Sequence, residues 1–297
     1  MYSEKIPARQ LSAWLFAALT PVLIQYTSCS WTWTLMAGIL AAVAGWLSWR
    51  FGRGSLVGSV VLLVVVSSMM KDAAQCWPGE NYPAVPLILL ALAAWSAWKG
   101  PSAAARTACV LFWAVLLIYI VVFASGIQGV ELGRLKARRP EPNWDLLLLF
   151  LVPSSSIPLL NKKGRWGIRL VLPMLFAVAA SIIVAGVLSP ELARKLEQPF
   201  YEMSRSLDLF GVAKRFEAVI SAAMTVGWFC LMSLSLSLIA NGAKRCPKIA
   251  IAVAALAMAG WMLCDLHISG VVLLLLASVF WVAFPILAQG IDFQKKS

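Results

Sequence analysis

The sequence predicts an all-α polytopic membrane protein of about ten transmembrane helices, and three observations lead there. The first is composition: 61% of the 297 residues are hydrophobic and 13% are charged, against about 45–50% and about 25% in soluble domains. So few polar residues cannot cover the apolar ones, and much of the surface must meet lipid. The mean hydropathy of +0.83 says the same. The second is that apolar residues gather in runs close to the roughly 20 residues a helix needs to cross a hydrocarbon core. The third is charge placement. The net charge is +12, but Lys and Arg sit in short clusters between the apolar runs, where they set topology and meet anionic headgroups. Nucleic acid is therefore not an expected partner, whereas membrane lipid is.

The runs are taken in order. Residues 8–26 follow a polar N-terminus without a small-residue cleavage site, so Leu11 to Tyr26 is expected as a retained span, not a removed signal. Residues 31–49 carry Trp31 and Trp33 at one end and Trp46 and Trp49 at the other, the placing of interface anchors. Residues 55–70 end at Lys71 and Asp72, and residues 83–98 end at Trp95, Trp98 and Lys99. Residues 107–125, 146–160, 168–188 and 217–240 supply the fifth to eighth spans. The ninth and tenth, 249–264 and 267–288, are divided only by Asp265 and Leu266. One helix from Ile249 to Ala288 would be about 60 Å long, twice the core thickness, so two helices and a tight turn are required. Asp265 and His267 would be polar residues of that turn or, at membrane depth, a proton relay. Residues 190–215 are too polar to span. Their Phe200, Met203, Leu207 and Phe210 recur at helical spacing, which predicts an outer surface helix over about 190–210.

Orientation follows from the basic residues. With the N-terminus inside, fifteen of the 25 Lys and Arg fall on the cytoplasmic side. Nine of the ten outer ones lie in the two longest connections, where the positive-inside rule is weakest. Both termini are thus expected to be cytoplasmic, with all 297 residues forming a single transmembrane domain.

Two runs are interrupted at membrane depth. Thr20-Pro21 stands within the first. The sixth contains Pro153, Ser154, Ser155, Ser156 and Pro158. Proline removes a helix hydrogen bond, and non-helical backbone survives at that depth only where protein buries it or water reaches it. If ten spans divide into two halves of five, spans 1 and 6 are equivalent, and interrupted helices in equivalent positions point to a binding site. Freed N–H and C=O groups there would grip a small zwitterion, with Met224 and Thr225 of span 8 completing the pocket. The plainer alternative is that Pro21 only kinks its helix and Ser154 to Ser156 bond back onto theirs. Arg215 and Glu217, at the outer entrance of span 8, are expected to serve structure or coupling, not ligand contact. No glycine-rich phosphate loop, nucleophile elbow or intramembrane carboxylate pair is present in the sequence, so no enzymatic activity is expected. The six cysteines and single histidine show no metal-ligand spacing, and neither metal nor cofactor is expected. Cys29 and Cys76 fall on the outer side, which leaves a disulfide between them open.

Two stretches resemble the B subunits of bacterial spore germinant receptors, relatives of the amino acid–polyamine–organocation transporters. Glu4-Lys5-Ile6-Pro7-Ala8-Arg9-Gln10-Leu11 is similar to that family's start. Pro199 to Leu238, with Arg215, an aromatic residue, Glu217 and then helix, is similar to its segment through span 8. The Lys99-Gly100 to Arg106 loop also fits, and together these cover about a third of the chain. The region of spans 2 to 4 is shorter than in the family, and Thr20-Pro21 stands where the family has a glycine break. The resemblance implies a leucine-transporter-type 5+5 inverted repeat and an amino-acid-sized nutrient ligand near the midplane. It also implies A and C receptor subunits as partners, and residence in the inner membrane of the spore. The expected function is nutrient recognition that signals germination. The alternative is a stand-alone proton- or cation-coupled amino acid transporter, and a structural subunit with a degenerate pocket is a third reading.

Overall fold

A computed structural model describes residues 5–27, 30–51, 56–75, 84–135, 142–159, 168–188, 190–196, 198–206, 217–243, 245–264 and 268–283. The described residues are predominantly helical, without a strand among them. The helices are α1 (Ala8–Gln25), α2 (Trp31–Phe51), α3 (Leu56–Gln75), α4 (Ala84–Trp98), α5 (Pro101–Ile127), α6 (Trp144–Ser155), α7 (Ile168–Val187), α8 (Pro190–Lys195), α9 (Pro199–Ser206), α10 (Glu217–Gly242), α11 (Pro247–Leu263) and α12 (Gly270–Ser278). A 3-10 turn, Ile157–Leu159, extends α6, and a π-helical turn, Val279–Ala283, extends α12.

Each of the ten apolar runs holds one helix. Among the described residues three helical stretches, Trp31–Ser48, Pro101–Ile127 and Ala218–Gly242, are long and apolar enough to cross a membrane. Shorter apolar helices lie in α3, α4, α6, α7 and α11, and in α12 with its π turn. Large apolar side chains lie exposed along the outward faces, among them Val110, Trp113 and Leu117 of α5 and Leu256 of α11. That is the surface of a protein solvated by acyl chains.

Local signals set several boundaries. Gly100 takes φ 104°, the left-handed region open to glycine, and Pro101 follows at the first position of α5, where the missing N–H costs nothing. The fifth span therefore begins six residues before its apolar run. Asn143 caps α6, its side chain accepting from the Leu146 N–H at 3.1 Å. Over the range expected as one surface helix, 190–210, stand two short helices, α8 ending at Lys195 and α9 beginning at Pro199. Pro199 disfavours helix in the residue before it, so the chain restarts there. Phe200 and Met203 are buried against Tyr119 and neighbouring apolar side chains, not laid across an outer face. Leu207 and Phe210 lie outside the described residues.

The core is organised around α1. Every residue from Trp14 to Gln25 is buried, and α5, α6, α7, α9 and α10 pack around it. Two bonds fix α6 antiparallel to it: the Ile6 N–H donates to the Leu159 carbonyl at 3.0 Å, and Asn143 Nδ2 donates to the Tyr26 carbonyl at 2.9 Å. Further out, α2 packs on α6 and α7, α12 on α6, α4 on α10 and α11, and α3 on α10 and α11.

Polar side chains tie these helices together. Thr34 and Ser181 hydroxyls join α2 to α7 at 2.9 Å within the core. Indole N–H groups donate to main-chain carbonyls across the bundle: Trp14 to Cys230 at 3.0 Å, Trp33 to Asn143 at 3.1 Å and Trp281 to Gly58 at 2.9 Å. Trp33, expected as an interface anchor, is thus also a strut between α2 and the start of α6. Trp46 and Trp95 remain exposed.

Candidate ligand-binding site

Helix α1 packs tightly on α10 beside Pro21. A Cβ placed on Gly227 would stand 2.8 Å from Pro21 Cβ and 3.4 Å from the Ala18 carbonyl oxygen. Only glycine lets the two backbones come this near. Thr20, one residue earlier, is fully buried, and its hydroxyl has no hydrogen-bond partner among the described residues. Because Pro21 has no N–H, it cannot donate to the carbonyl of Ala17 four residues back. A buried hydroxyl and a carbonyl deprived of its usual helical donor therefore lie within one turn of each other.

Helix α1 nonetheless runs unbroken from Ala8 through Pro21 to Gln25. The interruption expected in span 1 is thus a proline within a continuous helix, held by packing on all sides. On α10, Met224 is buried, and the half-buried Thr225 donates its hydroxyl to the Ser221 carbonyl at 2.8 Å. These two residues precede Gly227 by one turn or less, so the fold brings them to the level of Thr20 and Pro21.

Span 6 does end at its interruption. Helix α6 passes through Pro153 and stops at Ser155, and the chain continues as a 3-10 turn. The three serines behave differently. Ser155 donates to the Val152 carbonyl and Ser156 to the Pro153 carbonyl, both at 2.7 Å. These two are satisfied within their own turn. Ser154 is buried with no partner for its hydroxyl among the described residues. The antiparallel register set by Tyr26–Asn143 and Ile6–Leu159 puts Ser154 level with about residue 13 of α1. It is therefore roughly 10 Å along the axis from Thr20, at about 1.5 Å per residue. The two interruptions do not face each other at one depth.

A buried polar pair escaped the sequence reading. Trp228 Nε1 donates to Gln25 Oε1 at 3.1 Å, joining the end of α1 to α10. The signal was an amide, Gln25, at the end of an otherwise apolar run, where a polar group needs a partner. Arg215, Asp265 and His267 lie outside the described residues, as do Cys29 and Cys76. Glu217 opens α10. Among the described residues no His, Cys, Asp or Glu side chains gather as metal ligands.

Compared with models of known protein families the chain matches none, and the comparison with curated proteins gives no match either.

Proposed function

We propose that the chain is a ligand-binding membrane subunit of the spore germinant receptor type, recognising an amino-acid-sized nutrient without bond chemistry. The single observation that carries the binding site is the unpartnered, fully buried Thr20 hydroxyl, next in the chain to Pro21, where α1 meets Gly227 of α10. Unsatisfied polar groups are costly in hydrocarbon, and a zwitterion supplies the donors and acceptors they lack. Ser154 offers a second such hydroxyl about 10 Å nearer the N-terminal end. In this reading Pro153, Ser155 and Ser156 shape the end of the pocket while Met224 and Thr225 form its α10 wall.

The packing supports a ten-span 5+5 inverted repeat. Under the pairing of spans 1–5 with spans 6–10, α1 on α5 corresponds to α6 on α12, and α1 on α7 corresponds to α6 on α2. Likewise α4 on α10 corresponds to α11 on α3, and α3 on α10 and α4 on α11 each correspond to themselves. A repeat of this kind places its site between the first helices of the two halves. Germination as the output, A and C subunits as partners and the inner membrane of the spore rest on the sequence resemblance. Binding would favour one conformation and pass that bias to partner subunits.

Thermal-shift screening of the purified chain against the common amino acids tests the reading. A ligand that raises the melting temperature of the wild type but not of Thr20→Val supports it. Equal shifts in both variants would place the pocket elsewhere. Uptake of that ligand into proteoliposomes holding this chain alone would favour the transporter alternative over the receptor.

A further inference from the structure

A groove of about 610 Å³ opens on the outside of the bundle where α1, α5 and α7 meet. Its volume falls within the roughly 300–1,000 Å³ of small-ligand pockets. Its floor is aromatic: Phe16 and Phe112 pack edge to face with ring centroids 4.9 Å apart. Its far wall is the first part of α7, where Val171, Leu172 and Pro173 line it and the first two are exposed. At one end stands Arg9, exposed on the first turn of α1 and free of hydrogen bonds and ion pairs among the described residues. Phe16 lies seven residues further along α1, roughly 10 Å deeper at about 1.5 Å per residue.

We infer that this groove is a binding site for an anionic phospholipid, its phosphate on Arg9 and one acyl chain along Phe16 and Phe112. A water-borne solute has little to gain there, because the lining offers a single hydroxyl, that of Ser12, and it already donates to the Ala8 carbonyl at 2.9 Å. The flanking face of α5 is apolar and exposed at Val110 and Trp113, so the groove opens onto the space acyl chains fill. Charge selects the headgroup. Lys5 precedes α1, and Arg106 lies six residues before Phe112 on α5, the depth of Arg9 relative to Phe16. Arg9 is the cation that lines the groove, Lys5 and Arg106 add positive charge at the same end of α1 and α5, and basic pockets between spanning helices hold anionic headgroups. Gly227 of α10 meets α1 at Ala18 and Pro21, neither of which lines the groove.

The test is native mass spectrometry of the full chain released from vesicles of equal phosphatidylcholine and phosphatidylglycerol. The wild type is expected to retain phosphatidylglycerol over phosphatidylcholine by about five to one, the factor one basic residue supplies near an anionic surface. Arg9→Gln, at an exposed position, should return retention to the bulk ratio. Ala13→Trp fills the groove while keeping the charge, and should lose the bound lipid of either kind. An unchanged ratio in Arg9→Gln overturns the site, and if Ala13→Trp does not fold that result alone decides. Displacement of the lipid by inorganic phosphate would assign the cations to a free anion and also overturn it.

Discussion

Gly227 of α10 and Pro21 of α1 are so close that a single methyl group on Gly227 would come within 2.8 Å of the proline ring. The ring cannot swing away as a long side chain would, so the helices themselves must part. Gly227→Ala gains roughly 1 kcal/mol of helix propensity but incurs an overpacking cost of about 1–3 kcal/mol. The expected net result is a lower melting temperature in detergent, with a larger loss for Gly227→Val. A Gly227→Ala protein more stable than wild type would show that α1 and α10 are less tightly apposed.

Two buried threonines should respond in opposite ways. Thr34 shares a hydrogen bond with Ser181, so Thr34→Val is expected to destabilise by about 0.6 kcal/mol, and by no more than roughly 1.7, the range for such bonds between membrane helices. Thr20 has no partner to lose, so Thr20→Val should leave stability of the ligand-free protein unchanged or raise it. Thermal unfolding of the pair, run side by side, checks this.

Asn143 does three things at one end of the bundle. Its side chain caps α6, its amide donates to the Tyr26 carbonyl, and its own carbonyl accepts from Trp33. Asn143→Ala should cost about 1 kcal/mol for the cap and about 1 kcal/mol more for the lost donor. Asn143→Asp keeps the capping oxygen and gives up the donor, so its loss should be smaller. Reversing that order would contradict the capping assignment.

Both termini are expected on the cytoplasmic side, because fifteen of 25 basic residues fall there when the N-terminus is inside. Single cysteines added before Tyr2 and after Ser297 should resist impermeant maleimide in intact cells and react after lysis. Labelling of either one from outside would contradict the proposed ten-span arrangement.

The helices were legible because their signal is local. Each apolar run is long enough to speak for itself, and Pro101, Pro199 and Pro247 mark helix starts that hydropathy alone misses by a few residues. Which helix is enclosed was not legible. Thr20 and Gln25 are polar residues in the first run, yet their burial depends on partners up to two hundred residues away. The serines of span 6 show the same limit at finer scale. Ser154, Ser155 and Ser156 are alike in sequence, and only the geometry of the last turn decides that two reach a carbonyl and one does not. The depth offset between Thr20 and Ser154 likewise follows from a register set by Asn143 and Leu159, which no spacing within either run encodes.

The enclosure of α1 also sets a timetable for synthesis. Its polar Gln25 finds Trp228 and its Trp14 finds the Cys230 carbonyl only on α10, 203 and 216 residues later. At about 5–20 residues per second, the first helix waits roughly 10–40 s after it emerges before that partner exists. During that interval it must sit in lipid or beside the insertion machinery with its amide and indole unanswered. A slow or truncated synthesis that stops before Glu217 would therefore leave a first helix with no stable place in the bilayer, and its early degradation is the expected fate.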